Sequence, residues 1–430
     1  MPSSECFHRE GSDPVLLVVS QPHFCNGQIA IAAARAGAIG ILDLCGNEDE
    51  QGRQVALSSM RRYADPSGRW GVAWDMMPHA GRLPEPAGQH WPLLLLAGLD
   101  CQSPDLGEVR RRSRELAESV MIEAYCLDDA LAAQETGFDG VVFRGQEAGG
   151  RVGKHSTFLL LHEAHGKLDI PYWARGGLSP HTAAAATVAG AAGIVLGEQL
   201  WLARESPLNV EQRAALERLD GSETVYLGDQ DIGYRFFSRC GRTTLAELTK
   251  RQQAGEPWLD QLGEALRASD QLVPAGEEIA FADSLARKHV TVAGILDTYR
   301  AAMSDQVRQA HQQRALAQDS PLARAHRTPY PLVQGPMTRV SDVAPFCGAV
   351  SRHGALPTLA LALMRKAEVE KLLDATSAHM GERTWGVGIL GFVPGKLREE
   401  QLAIKGDAAL FRSAYSRNIE PVPFSVPFSV

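Results

Sequence analysis

The residues best suited to chemistry in this chain lie in three glycine-rich segments, each directly after a short apolar run. They are Gly145–Gly150, Arg175–Gly177 and Gly197–Glu198. Glycine lacks a Cβ atom, so backbone N–H groups in such segments can approach a phosphate closely. Parallel α/β proteins bind ligands at the carboxyl ends of their strands. The spacing therefore predicts a phosphate-binding edge.

Charged side chains stand beside these glycines. Glu123 ends an apolar run and could reach a ligand or form a structural salt bridge. Arg144 would place a positive charge at the site. Glu147 could accept a hydrogen bond from a ligand hydroxyl or brace a neighbouring arginine. We expect all three at the ligand-binding edge.

The candidates for proton transfer or anion binding are Arg151, His155 and His23. Arginine stays protonated at ordinary pH, so Arg151 can hold an anion but cannot remove a proton. His155 and His23 could act as bases, or could be solvated or hydrogen-bonded loop residues. Both alternatives stay open from the residues alone.

The sequence pattern around these residues predicts successive βα units that would position them. Eight apolar runs without alternation indicate strands that are buried on both faces. Eight strands in about 200 residues suit a compact (β/α)8 barrel, and an open doubly wound sheet is the alternative. The runs lie at 15–20, 39–43, 70–74, 91–97, 119–124, 140–144, 170–174 and 193–196.

The rest of the chain predicts a helical extension and a second, incomplete barrel beginning. Residues 207–327 have helical spacing and end in a proline-containing linker. Residues 328–402 start again with short apolar runs and supply about three βα units, too few to close a barrel. Residues 403–430 end in a tandem Pro-Phe-Ser-Val and are expected to be disordered. The predicted boundaries are therefore 1–206, 207–327, 328–402 and 403–430.

Composition excludes several classes of function. The net charge is −8 and no long basic run occurs, which argues against nucleic-acid binding. The seven cysteines include no Cys-x-x-Cys pair, which favours free thiols in a reducing compartment. No apolar run is long enough to cross a bilayer. We expect a cytoplasmic protein that does not bind membranes.

The motifs resemble the nitronate monooxygenase family, once called 2-nitropropane dioxygenases. Gly145–Gly150 is similar to that family's signature, and Leu202–Ser206 and Val333–Met337 fit its pattern. The resemblance covers 13–206 and 328–400. It is greatest to copies fused at the front of large polyketide synthases, with the flavin enoyl reductases of polyunsaturated-fatty-acid synthases as a sister branch.

This resemblance implies an FMN-dependent TIM barrel, with NADH or NADPH as a candidate reductant and no metal. It places the FMN phosphate at the glycines after strands seven and eight. The residues expected to bind the cofactor are Glu123, Arg144, Gly145, Glu147, Gly149, Gly150, Gly176, Gly177, Gly197 and Glu198.

One departure from the family pattern bears on the reaction. Active members usually carry a histidine base after the Gly-Gly pair, where this chain has Arg151. Three hypotheses follow: an FMN oxidoreductase acting on an acyl or polyketide-type substrate, a nitronate monooxygenase using oxygen, and a non-catalytic docking module of a synthase. The expected partners are a small-molecule or carrier-bound acyl substrate and other synthase domains.

Overall fold

The computed structural model of the chain divides into two compact units, Met1–Arg308 and Gln309–Val430. The described residues are 14–22, 24–45, 49–64, 68–76, 83–84, 90–228, 232–238, 242–256, 258, 262, 272–390 and 394–407.

Eight parallel strands of the first unit close into a barrel. Its closing contact pairs β1 with β9, from Val15 opposite Gly193 to Val18 opposite Leu196. This contact confirms the (β/α)8 prediction and excludes the open sheet. All the strands from β1 to β9 except β7 belong to the barrel: β1 Val15–Val19, β2 Ile39–Asp43, β3 Trp70–Asp75, β4 Trp91–Ala97, β5 Ala117–Ala124, β6 Gly140–Arg144, β7 Gly150–Gly153, β8 Tyr172–Arg175 and β9 Gly193–Leu196.

Helices follow most of the barrel strands, and local signals set their ends. Ser179 caps α6 through a capping box with Thr182, and Pro180 occupies the first helical turn. Gly137 ends α4 in the left-handed conformation, with φ of 86°. The helices of this part are α1 Gln28–Arg35, α2 Glu50–Tyr63, α3 Leu106–Leu116, α4 Leu127–Thr136, α5 Thr157–Ala164 and α6 Pro180–Val188.

Apolar side chains fill both the barrel interior and the layer between the strands and helices. Inside, fully buried Trp173 donates from Nε1 to the carbonyl oxygen of Val15 at 3.1 Å. Burial of each such large side chain contributes about 1.5–3 kcal/mol. The interior cluster comprises Leu17, Val19, Ile41, Ala73, Leu93, Leu95, Met121, Val142, Trp173 and Val195. This packing holds the strand ends in fixed positions.

The extension contains the predicted helices together with a sheet that the sequence pattern did not predict. β11 pairs antiparallel with β10, β12 and β7, which places Tyr234 opposite Arg151. Because β7 lies far upstream, the pairing depends on distant residues that a local pattern does not reveal. The elements of the extension are β10 Thr224–Gly228, β11 Ile232–Ser238, β12 Leu272–Val273, α7 Val210–Leu216, α8 Arg242–Gln253, the 3-10 helix Glu277–Phe281 and further helices Ala282–His289 and Val292–Gln313. Another 3-10 helix, Glu198–Leu200, directly follows β9.

The second unit has the element order of a barrel beginning. Val333 and Leu356 form a parallel bridge, and the strands β13 and β14 pair in parallel. Its elements are β13 Thr358–Ala360, β14 Gly386–Gly388 and the helices Pro321–His326, Ala344–Arg352, Lys366–Met380 and Gly395–Asp407. Its own core contains Cys347, Leu359, Leu361, Val369, Leu373, Met380, Trp385 and Ile404. Residues 408–430, most of the predicted disordered tail, lie outside the described part.

Among the described residues, no helix combines the length and the apolar character that crossing a membrane requires. Their cysteines are free thiols at Cys25, Cys45, Cys101, Cys126 and Cys347.

Candidate active site

A buried ion cluster occupies the carboxyl end of the barrel strands, here called the mouth. We call Glu123, Arg144 and Arg175 the mouth cluster, because β5, β6 and β8 bring their side chains together. Arg144 Nη1 lies 2.7 Å from both carboxylate oxygens of Glu123. Arg175 Nη1 lies 3.2 Å from Glu123 Oε1. The exposed fractions are 1%, 9% and 6% for Glu123, Arg144 and Arg175.

The charges of the mouth cluster stabilise one another. Burial by itself would raise the pKa of Glu123, but Arg144 and Arg175 outweigh it and hold that pKa below its usual value. Burial would likewise lower the pKa of Arg144, and the Glu123 carboxylate outweighs it, so the pKa is raised. Glu123 is therefore ionised at neutral pH and cannot serve as a proton donor there.

Tyr125 extends the cluster. Its hydroxyl donates to Glu123 Oε2 at 3.1 Å and accepts from the backbone N–H of Gly98 at 3.2 Å. Burial first, and the Glu123 charge second, raise the pKa of Tyr125 well above its ordinary value. The hydroxyl therefore keeps its proton at neutral pH and acts as a hydrogen-bond donor.

Arg151, which stands where the family's base is expected, packs against this tyrosine. Its guanidinium lies 4.9 Å from the centre of the Tyr125 ring, a cation–π contact. Arg151 Nη1 also donates to the carbonyl oxygen of Gly98 at 2.7 Å. The residue thus supplies a fixed positive charge one side chain away from Glu123. Such a charge can attract an anion but cannot take up a proton.

Of the two histidines considered as candidate bases, His155 does not join this arrangement. His155 Nδ1 lies 3.2 Å from Glu163 Oε2 on α5, so its ring is engaged with that helix. The exposed fraction is 28% for the side chain of His155 and 34% for that of Glu163. His23 lies outside the described residues.

The glycine loops after β6 and β8 have the close packing that a ligand-binding loop needs. Gly176 and Gly177 have φ of 114° and 66°, values that favour glycine. A Cβ on Gly145 would lie 2.1 Å from Thr157 Oγ1. Glu147 Oε2 accepts from the Thr157 backbone N–H at 3.0 Å, so Glu147 braces this loop.

A carboxyl group already occupies the backbone donor at which a phosphate was expected. The N–H of Gly177 donates to Glu278 Oε2 at 2.6 Å. Glu278 is fully buried and belongs to the 3-10 helix Glu277–Phe281. Its other oxygen, Oε1, is buried without a hydrogen-bond partner in the described part of the chain.

A second acid lies beside it. Glu198 is 1% exposed, and its Oε1 accepts from the backbone N–H of Gly276 at 3.2 Å. Burial, and then the neighbouring Glu198, raise the pKa of Glu278 well above its ordinary value. A phosphate and the Glu278 carboxyl compete for the Gly177 N–H, since a phosphate accepts the hydrogen bonds that carboxyl groups accept. With Glu278 seated on Gly177, the loops do not fit a cofactor phosphate.

Three residues of this arrangement were missing from the predicted site. Arg175 stood in the quoted Arg-Gly-Gly motif, and its place at a strand end was the available signal. Tyr125 directly follows the fifth strand but has no motif of its own. Glu278 is 101 residues from Gly177 along the chain, so no local pattern connects them.

Comparison with protein families gives a match to the model described as Nitronate monooxygenase over residues 105–249. Comparison with curated proteins gives no match. The matched segment includes the whole mouth cluster and the glycine loops.

Solved structures share the barrel fold. FabK from Thermotoga maritima is 16% identical, with a TM-score of 0.54 over 70% of this chain and 96% of that one. Nitroalkane oxidase from Streptomyces ansochromogenes is 19% identical, with a TM-score of 0.51 over 69% and 98%. The enoyl reductase domain of MlnA, from the macrolactin cluster of Bacillus amyloliquefaciens, is 10% identical, with a TM-score of 0.53 over 72% and 97%. At these identities the likeness shows the fold. The resemblance to the nitronate monooxygenase family, a family of oxidoreductases, is confirmed by the match over residues 105–249.

Proposed function

We propose that the barrel is an FMN-dependent oxidoreductase acting on an acyl or polyketide-type substrate, in the manner of an enoyl reductase. The observation that carries this proposal is the family match over 105–249. That segment contains every residue predicted for the site except His23. It also supplies all three side chains of the mouth cluster.

The chemistry of the mouth supports a redox cofactor. Glutamate, arginine and tyrosine side chains neither store nor release a hydride, so oxidoreduction here belongs to a bound group. Gly176 and Gly177 would hold its phosphate once Glu278 has left the Gly177 N–H, and Gly197 would join them once its own N–H leaves Gln199 Oε1, to which it donates at 2.9 Å. Arg144 and Arg175 would provide fixed positive charge near it, with NADH or NADPH as reductant.

The acyl substrate is supported by charge. Arg151 presents a permanent cation next to the mouth, which suits a carboxylate or the phosphate of a phosphopantetheine arm. The enoyl reductase domain of MlnA shares the fold, which is consistent with this substrate class. A free or carrier-bound acyl group and neighbouring synthase domains would then be the partners.

Oxidation of nitronates is the second candidate, and the name of the matched family favours it. A nitronate is an anion already, so Arg151 could bind it without any base. A neutral nitroalkane needs a base, and Arg151 cannot supply one. The third candidate, a non-catalytic docking module, is favoured by the bond from Gly177 to Glu278.

The experiment is to incubate the purified chain with FMN, remove free cofactor and record the visible spectrum. The loaded protein is then mixed with NADPH or NADH without oxygen, and afterwards with an enoyl thioester. Bleaching followed by reoxidation by the thioester supports the proposal. Turnover of propyl nitronate with oxygen, but not of the thioester, would favour the second candidate. A folded protein that takes up no flavin would favour the docking module.

A further inference from the structure

We propose that Glu278 is an internal competitor for the cofactor phosphate and decides whether a phosphate-bearing flavin can bind. This inference rests on the proposed function, because it concerns the same site. It assigns a role to a residue outside both the glycine motifs and the matched segment 105–249.

The carboxyl group of Glu278 lies where the cofactor phosphate is expected. Gly177 lies after the seventh barrel strand, β8, and TIM barrels frequently bind phosphate at the loops after strands seven and eight. The N–H of Gly177 donates to Glu278 Oε2 across 2.6 Å, a distance shorter than is usual for an N–H···O hydrogen bond. A phosphate oxygen cannot use that donor while Glu278 holds it.

The backbone around Glu278 is fastened to the same loop. The N–H of Glu277 donates to the carbonyl oxygen of Glu147 at 2.8 Å. Arg235 donates from Nε to the carbonyl oxygen of Gln146 at 2.8 Å and forms an ion pair with Glu277 at 3.0 Å. The 3-10 helix that carries Glu278 is therefore held over the loop from two sides.

Close packing fixes the approach further. A Cβ on Gly276 would lie 2.4 Å from the carbonyl oxygen of Glu147. A Cβ on Gly149 would lie 2.6 Å from Ala275. The two backbone segments are in close contact beside the Glu198 carboxylate, and this contact places the 3-10 helix that carries Glu278 against the loop. The packing therefore holds the Glu278 carboxyl at the Gly177 N–H.

The charges that face Glu278 determine how readily a second negative group can enter the site. Glu198 and Glu147 oppose a further negative charge there, whereas Arg175 favours one. Tyr299, from the helix Val292–Gln313, adds a buried hydroxyl whose pKa is raised by burial and by Glu278. A phosphate that entered with Glu278 still in place would therefore meet several acids at once. Replacement of the Glu278 carboxyl by the phosphate would leave a single acidic group at the Gly177 N–H.

The test compares FMN with riboflavin, which has the same ring system but no phosphate. Both are titrated by fluorescence into the full chain and into the Glu278→Ala and Glu278→Ser variants. Asp283→Ala is the matched control, because it removes an acid of the adjoining helix that pairs with Arg287 and not with Gly177. Circular dichroism and thermal unfolding establish that each variant is folded.

We expect Glu278→Ala to bind FMN about tenfold more tightly than the parent chain, the effect of one freed strong hydrogen-bond donor. Riboflavin affinity should stay unchanged in every variant, as should FMN affinity in the control. If the alanine variant does not fold, the serine variant decides in the same way. Equal FMN affinity in the parent and the folded variants, with riboflavin bound by all of them, overturns the proposal that Glu278 competes with the phosphate. Binding of neither flavin by any folded variant overturns the proposed function and this inference with it.

Discussion

Arg144 and Glu123 form a two-point ion pair in the mouth of the barrel, with Nη1 at 2.7 Å from both carboxylate oxygens. The pair joins β5 to β6, and Arg175 extends it to β8 at 3.2 Å. Three strands are thus connected by charge at the end where ligands bind in this fold. Ion pairs buried to this degree depend on every member, because the loss of one leaves an uncompensated charge.

The first prediction concerns that dependence. Glu123→Gln should lower the free energy of unfolding by about 3–5 kcal/mol, because Arg144 and Arg175 would lose their buried counter-ion. Urea unfolding measures the change, with the exposed Glu118→Gln as control. Since the folded state holds the pKa of Glu123 below its usual value, its contribution is present above about pH 4.3 and disappears as pH falls below that. An unchanged midpoint in Glu123→Gln would show that the cluster does not stabilise the fold.

The second prediction concerns Glu278, whose replacement should raise the free energy of unfolding where replacement of Glu123 lowers it. Its pKa is raised in the folded protein, by burial and then by Glu198. Its ionisation therefore favours the unfolded chain increasingly as pH rises above about 4.3. Glu278→Gln should remove this destabilisation by ionisation and raise the free energy of unfolding at pH 8 by about 1 kcal/mol or more. Unfolding from pH 5 to pH 8 tests it against Asp283→Asn. Parallel pH profiles of the parent and Glu278→Gln would contradict the prediction.

The third prediction concerns the phosphate loop. Gly177 has φ of 66°, so valine there is strained by about 1–2 kcal/mol, and its Cβ would lie 3.6 Å from Cβ of Glu147 in the glycine loop after β6. Gly166 has φ of 71° with open space around its Cβ position, and Gly166→Val therefore serves as a control for strain alone. Gly177→Val should lose FMN while the control keeps it, and both should fold. Stoichiometric flavin in Gly177→Val would place the phosphate elsewhere.

The fourth prediction concerns the missing base. The unmodified chain should turn over neutral nitroethane very poorly, because Arg151 stays protonated. Arg151→His should raise that rate by about 100-fold, the lower range for general-base catalysis. Arg151→Gln, which has neither the charge nor a base, is the control. Efficient use of nitroethane by the parent chain, measured as oxygen uptake, would show that another group removes the proton.

The barrel was predictable from the sequence because each of its strands is a short uninterrupted apolar run. The strand that ends at Arg144 and the one that ends at Leu196 needed only local composition to be recognised. The parallel pairing of Val15 with Gly193 then follows from closure. The sheet of the extension escaped prediction because β11 finds its partner β7 about 80 residues upstream.

The site was predictable only where a motif lay on a strand end. Arg144 and Glu123 stood at such ends, and the structure brings them together. The hydrogen bond of Gly177 with Glu278 joins a motif to a segment without one. Only the folded chain places Glu278 there, because the contact is made by the extension folding back over the loops. Local patterns therefore identified the glycine loop but not Glu278, which accepts from its backbone N–H.

The last prediction concerns the second unit. All eight strands that close the barrel lie within Met1–Arg308, so a chain that ends at Ala325 retains the complete barrel. The second unit offers the short sheet β13–β14 with open edges and exposed apolar side chains such as Leu332 and Leu363, 55% and 67% exposed. Open edges and exposed apolar groups promote association. The 1–325 chain should therefore be more soluble than the full chain, with the same thermal unfolding of the barrel and the same flavin content. Light scattering, calorimetry and the visible spectrum measure these three properties. Loss of the barrel transition or of flavin in the 1–325 chain would mean that residues beyond 325 complete the first domain.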